Sequence, residues 1–293
     1  MYIVVFIVAI LLLAMERRIK RPPNARSPYN AAAASLFLPG LGQLYNGETR
    51  KALLVWAGGS VLILLAALFG LLFRFWGMAT IIILGFVLWF TALINAVQTA
   101  KQLQEYRPTA VNRWFVYVSA VVVAALVSVP VTGALGARAF RIPSESMLPT
   151  LYVGDFIMTR LESPQSYDDK RGDIVVFLYP GDNRTHYVDR VVAFSGETFE
   201  IRDRQILVDG QSVEEPWARV LGQSLRNPHY TFGPIVVPEG ALFMLGDNLD
   251  NSADSRIWGP LPRENIVGVA EYIYFSWDFR KKRVRTNRIG IEL

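Results

Sequence analysis

The long, nearly unbroken apolar stretches of this 293-residue chain all lie before residue 138, and that asymmetry limits its fold more than any motif does. Stretches at roughly 52–73, 77–97 and 115–137 each hold the ~20 apolar residues that a helix needs to cross a hydrocarbon layer. A fourth stretch, at 2–15, is shorter and suits a tilted span or an interfacial helix. A secretory signal peptide is the rival reading there. Such peptides carry positive charge ahead of the apolar core. Here the charges follow it, in ERRIKRPPNAR, which favours a retained anchor. With 52% hydrophobic and 19% charged residues, the chain is too apolar for an ordinary soluble protein.

Basic residues give the orientation, because Lys and Arg of short loops stay on the cytoplasmic side. Arg17, Arg18, Lys20, Arg21 and Arg26 put residues 16–31 inside. Lys101, Arg107 and Arg113 do the same for 98–114. The turn at 74–77, with Arg74 alone, is then outside. The span at 115–137 exits, and everything from Arg138 onward lies on the outer side of the cytoplasmic (inner) membrane. This multi-pass order requires that residues 32–46, AAASLFLPGLGQLYN, do not cross. Pro39, Gly40 and Gly42 break them. The stretch LPGLGQLYNGE resembles a glycine-rich motif of small two-span membrane modules, which implies a separate membrane unit over residues 28–100. A transporter or channel is disfavoured, since ionisable residues inside spans mark such pathways and these spans hold almost none.

The net charge of +5 suits a protein beside anionic membrane lipid, and no segment resembles a nucleic-acid-binding module. The basic segment WDFRKKRVRTNR reads as a solvated tail or as a lipid contact. The absence of cysteine removes disulfides, thiol nucleophiles and Cys-based metal sites. With only His186 and His229, a histidine-rich metal site is not expected. No cofactor is expected.

After residue 138 short runs of β-branched and aromatic residues alternate with turn signals: DFIMTRL, RGDIVVFLY, HYVDRVVAF, TFEIRDRQILVDG, GPIVVPEGALFMLGD and IVGVAEYIYFSW. This spacing predicts strands, and Asp209-Gly210 predicts a hairpin turn. The expected organisation is an α-helical membrane region (1–114), an anchoring transmembrane helix (115–137) and a mostly β extramembrane domain (138–293).

Residues 142–150 read IPSESMLPT. On a strand, residues two apart share a face, so Ser144 and Ser146 are expected to point the same way. Pro143 removes a donor, and Leu148 before Pro149 is pushed towards an extended conformation. The expectation is a stiff extended ribbon with two hydroxyls near the membrane. By itself such a pair is usually no more than a polar loop.

Four segments in order, IPSESMLPTLYVGD, RGDIVVFLYP, YVDRVVAFSGE and GDNLDNSADSRIWGPL, resemble the signature boxes of the type I signal peptidase family. These are membrane-bound serine endopeptidases that release signal peptides from exported preproteins. The resemblance covers about residues 138–277 and implies the family's β fold. It implies Ser146 as nucleophile, Ser144 as an oxyanion-hole donor with the backbone N–H of Ser146, and Ser252 as the hydroxyl orienting the base. Ile142, Pro143, Met147, Leu151, Tyr187 and Val188 match positions that line an apolar pocket for Ala-like side chains of an Ala-x-Ala site. Asp254 and Arg256 match a structural ion pair.

One departure matters. The family has its general-base lysine where this chain has Asp189. A desolvated lysine is a neutral amine able to take the serine proton. A carboxylate has an unperturbed pKa of about 3.9 and is a weak base at neutral pH. Burial raises that value, yet a protonated Asp is no base. Arg190 stays charged. Lys170 lies before the strand. His186 titrates in the right range, but three residues from Asp189 it belongs on the other face of a regular strand. Leu249 replaces a common arginine and weighs less. Two readings follow: a working endopeptidase with a Ser146/Asp189 pair, or a silent relative that binds signal-peptide-like segments.

Overall fold

The computed structural model describes residues 25–107, 112–113, 115–122, 136–163, 167–168 and 170–293. The chain divides into an N-terminal helical unit and a C-terminal unit running from Gly136 to Leu293. The stretch at 2–15, the basic residues Arg17, Arg18, Lys20 and Arg21, and residues 123–135 of the span expected at 115–137 lie outside the described residues.

In the first unit, α1 (Pro28–Phe37) and α2 (Leu41–Tyr45) are both too short to cross a bilayer. They are followed by α3 (Thr49–Leu68) and α4 (Phe75–Gln102), each long and apolar enough to do so. Leu54, Leu68, Ile83 and Phe86 on these helices are exposed, as a lipid-facing surface requires. The break between α1 and α2 comes at Gly40, whose φ of +94° favours glycine. Gly42 lets α2 settle onto α4: a methyl there would fall 2.8 Å from Ala96 Cβ and 2.6 Å from the Ala31 carbonyl. Gln43 Nε2 then donates to Ala92 O (2.6 Å) and Asn46 Nδ2 to Ala96 O (2.7 Å). The motif LPGLGQLYNGE is thus a docking element whose small residues give close approach and whose amides bond to the neighbouring helix.

The second unit is mostly β. Its larger sheet contains β1 (Ala137–Arg141), β2 (Asp155–Leu161), β3 (Ile174–Leu178) and β4 (His186–Ala193). A smaller sheet is built from β5 (Thr198–Arg202), β6 (Gln205–Val208), β7 (Gln211–Ser212) and β8 (Phe232–Val236). Between β7 and β8 runs a helix, α5 (Pro216–Ser224). The chain returns to the first sheet with β9 (Ala241–Leu245), β10 (Leu261–Pro262), β11 (Ile266–Asp278) and β12 (Arg283–Val284). The orders are β1-β2-β11-β3-β4-β9-β10, with β12 on β11, and β7-β6-β5-β8. All these pairings are antiparallel. Register shifts along β11 curl the large sheet.

Asp209 and Gly210 both have positive φ (50° and 75°), the two-residue turn expected of Asp-Gly between β6 and β7. The apolar faces meet in three clusters. One joins the small sheet to α5 through Phe199, Ile201, Leu221 and Phe243. The other two hold alternate residues of β3: Val175 and Phe177 in one, Ile174 and Val176 in the other.

Candidate active site

The segment with the two serines joins β1 to β2. Ile142 and Asp155 close its base, with Ile142 N donating to Asp155 O (2.9 Å) and Gly154 N to Ile142 O (3.0 Å). Within it the chain turns instead of running extended. Leu148 N bonds Glu145 O (3.2 Å) and Leu151 N bonds Met147 O (2.8 Å). This corrects the expected ribbon. Ser144 Oγ and Ser146 Oγ stand 3.1 Å apart in this bent segment. The turn is pinned from a distant part of the sequence. Asn248 donates through its backbone N–H to Ser146 O (2.9 Å) and through Nδ2 to Glu145 O (3.0 Å).

Gly246, just past β9, makes room for this arrangement. A methyl there would sit 2.2 Å from Ser252 Oγ and 2.7 Å from Ser146 O. Ser252 therefore lies against the same glycine as the turn that carries the two serines, and its Oγ is buried without a hydrogen-bond partner.

Asp189 lies on β4, 3% exposed, and its Oδ2 also has no partner. Two further buried carboxylates are near. Asp247 accepts from two nitrogens of Arg190 (Nε 2.8 Å, Nη2 2.6 Å) and from the Thr150 hydroxyl. Asp254 caps the short helix Ser255–Trp258 (α6) and is held by Arg256 (Nε to Oδ1 2.8 Å, Nη2 to Oδ2 2.9 Å) and by Gly246 N–H. Both guanidiniums are thus committed to other acids. Desolvation pushes the Asp189 carboxyl well above the usual range, with Asp254 and then Asp247 adding to the rise and Arg256 opposing it.

The expected pocket residues are only partly brought together. Ile142, Met147 and Leu151 are buried, and Val188 packs in their cluster. Pro143 is exposed. Tyr187 belongs to the opposite cluster, with Phe177 and Val191, and stacks on Tyr179 at 4.8 Å. Residues 187 and 188 are successive on a strand, so they cannot share a face. The same regularity separates His186 from Asp189. β4 pairs with β3 without a register shift from His186 to Arg190. His186 is exposed beside Phe140, and its pKa is lowered by desolvation and then by Arg138. Among the described residues no cluster of metal-ligating side chains exists. Sequence reasoning missed Asn248 and Gly246; the signal, GDN after an apolar strand, lay within the last signature segment.

A family profile described as "Signal peptidase, peptidase S26" matches residues 111–277, more than half of the chain. "Probable signal peptidase I-1" of Synechocystis is 37% identical over 141 residues, which is 46% of this chain and 69% of that protein. "Signal peptidase I" of Leptolyngbya laminosa is 39% identical over 47% of this chain and 70% of its own length. "Signal peptidase I" of Bacillus amyloliquefaciens is 31% identical over 60% of this chain and 94% of its own. A solved signal peptidase I from Enterococcus faecalis is 29% identical, covering 35% of this chain and 97% of its own, with a TM-score of 0.31. The family profile over more than half of the chain and the three curated relatives agree: the chain belongs to the signal peptidase family S26, membrane-anchored serine endopeptidases of the signal peptidase I type.

Proposed function

We propose that this chain removes N-terminal signal peptides from exported preproteins at small-x-small sites, with Ser146 as nucleophile. The contact of Ser144 Oγ with Ser146 Oγ at 3.1 Å carries this reading. It sets one hydroxyl beside the attacking one, where an oxyanion develops. Such a donor counts because it meets charge that exists only in the transition state. Ser146 Oγ attacks the scissile carbonyl carbon and gives its proton to ionised Asp189. The tetrahedral adduct collapses as that proton passes to the leaving amine. Water then releases the acyl group from Ser146 by the reverse sequence. Ser252 orients the carboxyl, the Asp254–Arg256 pair holds the loop, and Ile142, Met147, Leu151 and Val188 wall the apolar subsites, with Pro143 at the rim. Burial makes Asp189 a better base than an exposed aspartate, since its pKa moves towards working pH. The β unit lies on the outer side of the cytoplasmic membrane, against lipid, and the helical unit passes through it more than once.

The unpartnered Oδ2 of Asp189 favours a second reading. A carboxyl that stays protonated accepts no proton, and the chain then binds signal-peptide-like segments without cutting them. The deciding experiment is cleavage of an Ala-x-Ala preprotein by the detergent-solubilised chain from pH 5 upward. The peptidase reading expects cleavage that rises with pH through the elevated Asp189 pKa and vanishes in Ser146→Ala and Asp189→Asn. Peptide binding with no cleavage at any pH retires it.

A further inference from the structure

We propose that Arg288, in the C-terminal segment, is a positioning residue for the nucleophile turn. The proposal rests on Ser146 being the nucleophile. The basic segment at 277–288 splits into two parts. Arg280, Lys281 and Lys282, between β11 and β12, and Arg283, the first residue of β12, form an exposed tip. Arg285 and Arg288 turn back into the fold, 18% and 10% exposed at their side chains. Arg288 Nη2 donates to the carbonyl of Thr150 (2.6 Å) and to Asp155 Oδ2 (2.6 Å), while Nε reaches both Asp155 oxygens (3.1 and 3.0 Å). Its guanidinium lies over the Tyr152 ring at 4.0 Å. Asp155 is fully buried and takes further bonds from Tyr152 N (2.8 Å) and Ser276 Oγ (2.6 Å).

This geometry closes the turn from its far side. Asn248 holds Ser146 O and Glu145 O at the start. At the end, Thr150 is held twice: its carbonyl by Arg288, and its hydroxyl by Asp247, itself clamped by Arg190. Between these anchors the peptide has little freedom, so the hydroxyl of Ser146 keeps its place. A small displacement of a reacting group is costly even when its cause is remote. A planar guanidinium is required because one group must serve Asp155 and the Thr150 carbonyl together. An ammonium can replace the charge without the fork.

The test compares Arg288→Lys and Arg288→Gln with Arg285→Gln in the full-length, detergent-solubilised chain. Arg285 shares the same surroundings but bonds Val153 O instead of Thr150 O. For Arg288→Lys the expected result is a lowered thermal midpoint with cooperative folding kept, an unchanged KM, and kcat down by about tenfold to a hundredfold in the folded enzyme, the cost of a misplaced nucleophile. Arg285→Gln is expected to keep its kcat. Equal kcat in the parent and Arg288→Lys overturns the proposal. So does loss of cooperative folding in both Arg288 variants, which would make the side chain a core ion-pair partner only. If the parent cleaves nothing, the peptidase reading fails and amide exchange decides this one. Faster exchange at Leu148 and Leu151 in Arg288→Lys supports it, and unchanged exchange there overturns it.

Discussion

Asp189 stands among three buried acids served by two guanidiniums, and both guanidiniums are already taken. Its folded pKa is raised, so the folded state holds a proton that the unfolded chain has released. The resulting stability is complete below about pH 4, the unfolded value, and is lost progressively as pH rises through the folded value. Asp189→Asn is therefore expected to match the parent in acid and to exceed it increasingly as pH rises. Urea unfolding across pH checks this. Asp189→Lys is expected to raise cleavage of an Ala-x-Ala preprotein, because a desolvated amine is a stronger base than a carboxylate; an unchanged rate would show that the group at this position does not limit cleavage. Gly246→Ala would force a methyl onto Ser252 Oγ and the Ser146 carbonyl. It should cost about 1–3 kcal/mol of stability and most of the cleavage. The serines' neighbourhood was legible in the chain, but for the wrong reason. Strand alternation suggested a shared face, whereas the turn that joins them depends on Asn248, 103 positions from Glu145. Local patterns carry no record of such a partner.

Strands were the most legible feature: alternation marks β2, buried on one face, and runs of β-branched and aromatic residues mark β3, buried on both. DFIMTRL is β2 throughout, and the runs around IVVF and YVDRVV became β3 and β4. That regularity has a chemical corollary. His186 is fixed away from Asp189, so His186→Ala is expected to leave both the rate and the pH profile of cleavage unchanged. A profile that loses a limb would show that β4 rearranges on substrate binding. The helix α5 was missed within a region read as strands and turns. Its signals were present: Pro216 opens it, and Ala218, Leu221, Gly222 and Leu225 recur at helical spacing and are buried. They were masked by short length and by the polar run before them. In the helical unit, the breaks at Pro39 and Gly40 were legible. The amides of Gln43 and Asn46 were not, since their acceptors lie on another helix.

The two halves of the chain follow different solvents, and composition alone separated them. The first unit exposes Leu, Ile, Phe and Val on α3 and α4; the second buries them between sheets. The lack of any cysteine makes the arrangement across the membrane directly measurable. Single cysteines at Gln104 and at Gln211, both exposed, are expected to differ in intact cells. Gln211→Cys should react with an impermeant maleimide added outside, and Gln104→Cys only after permeabilisation. The reverse pattern would invert the orientation drawn from the basic loops. The tip between β11 and β12 also bears on covalent continuity. Arg280 to Arg283 are exposed together, an open invitation to trypsin. The residues beyond them are tied back without the peptide bond: Arg288 to Asp155, Gly290 N to Ile273 O (2.8 Å), Ile273 N to Ile291 O (2.9 Å) and Leu293 N to Glu271 O (3.0 Å). A chain nicked at the tip should therefore travel as one particle, and its last ten residues (284–293) become an exchangeable fragment that a synthetic peptide can replace.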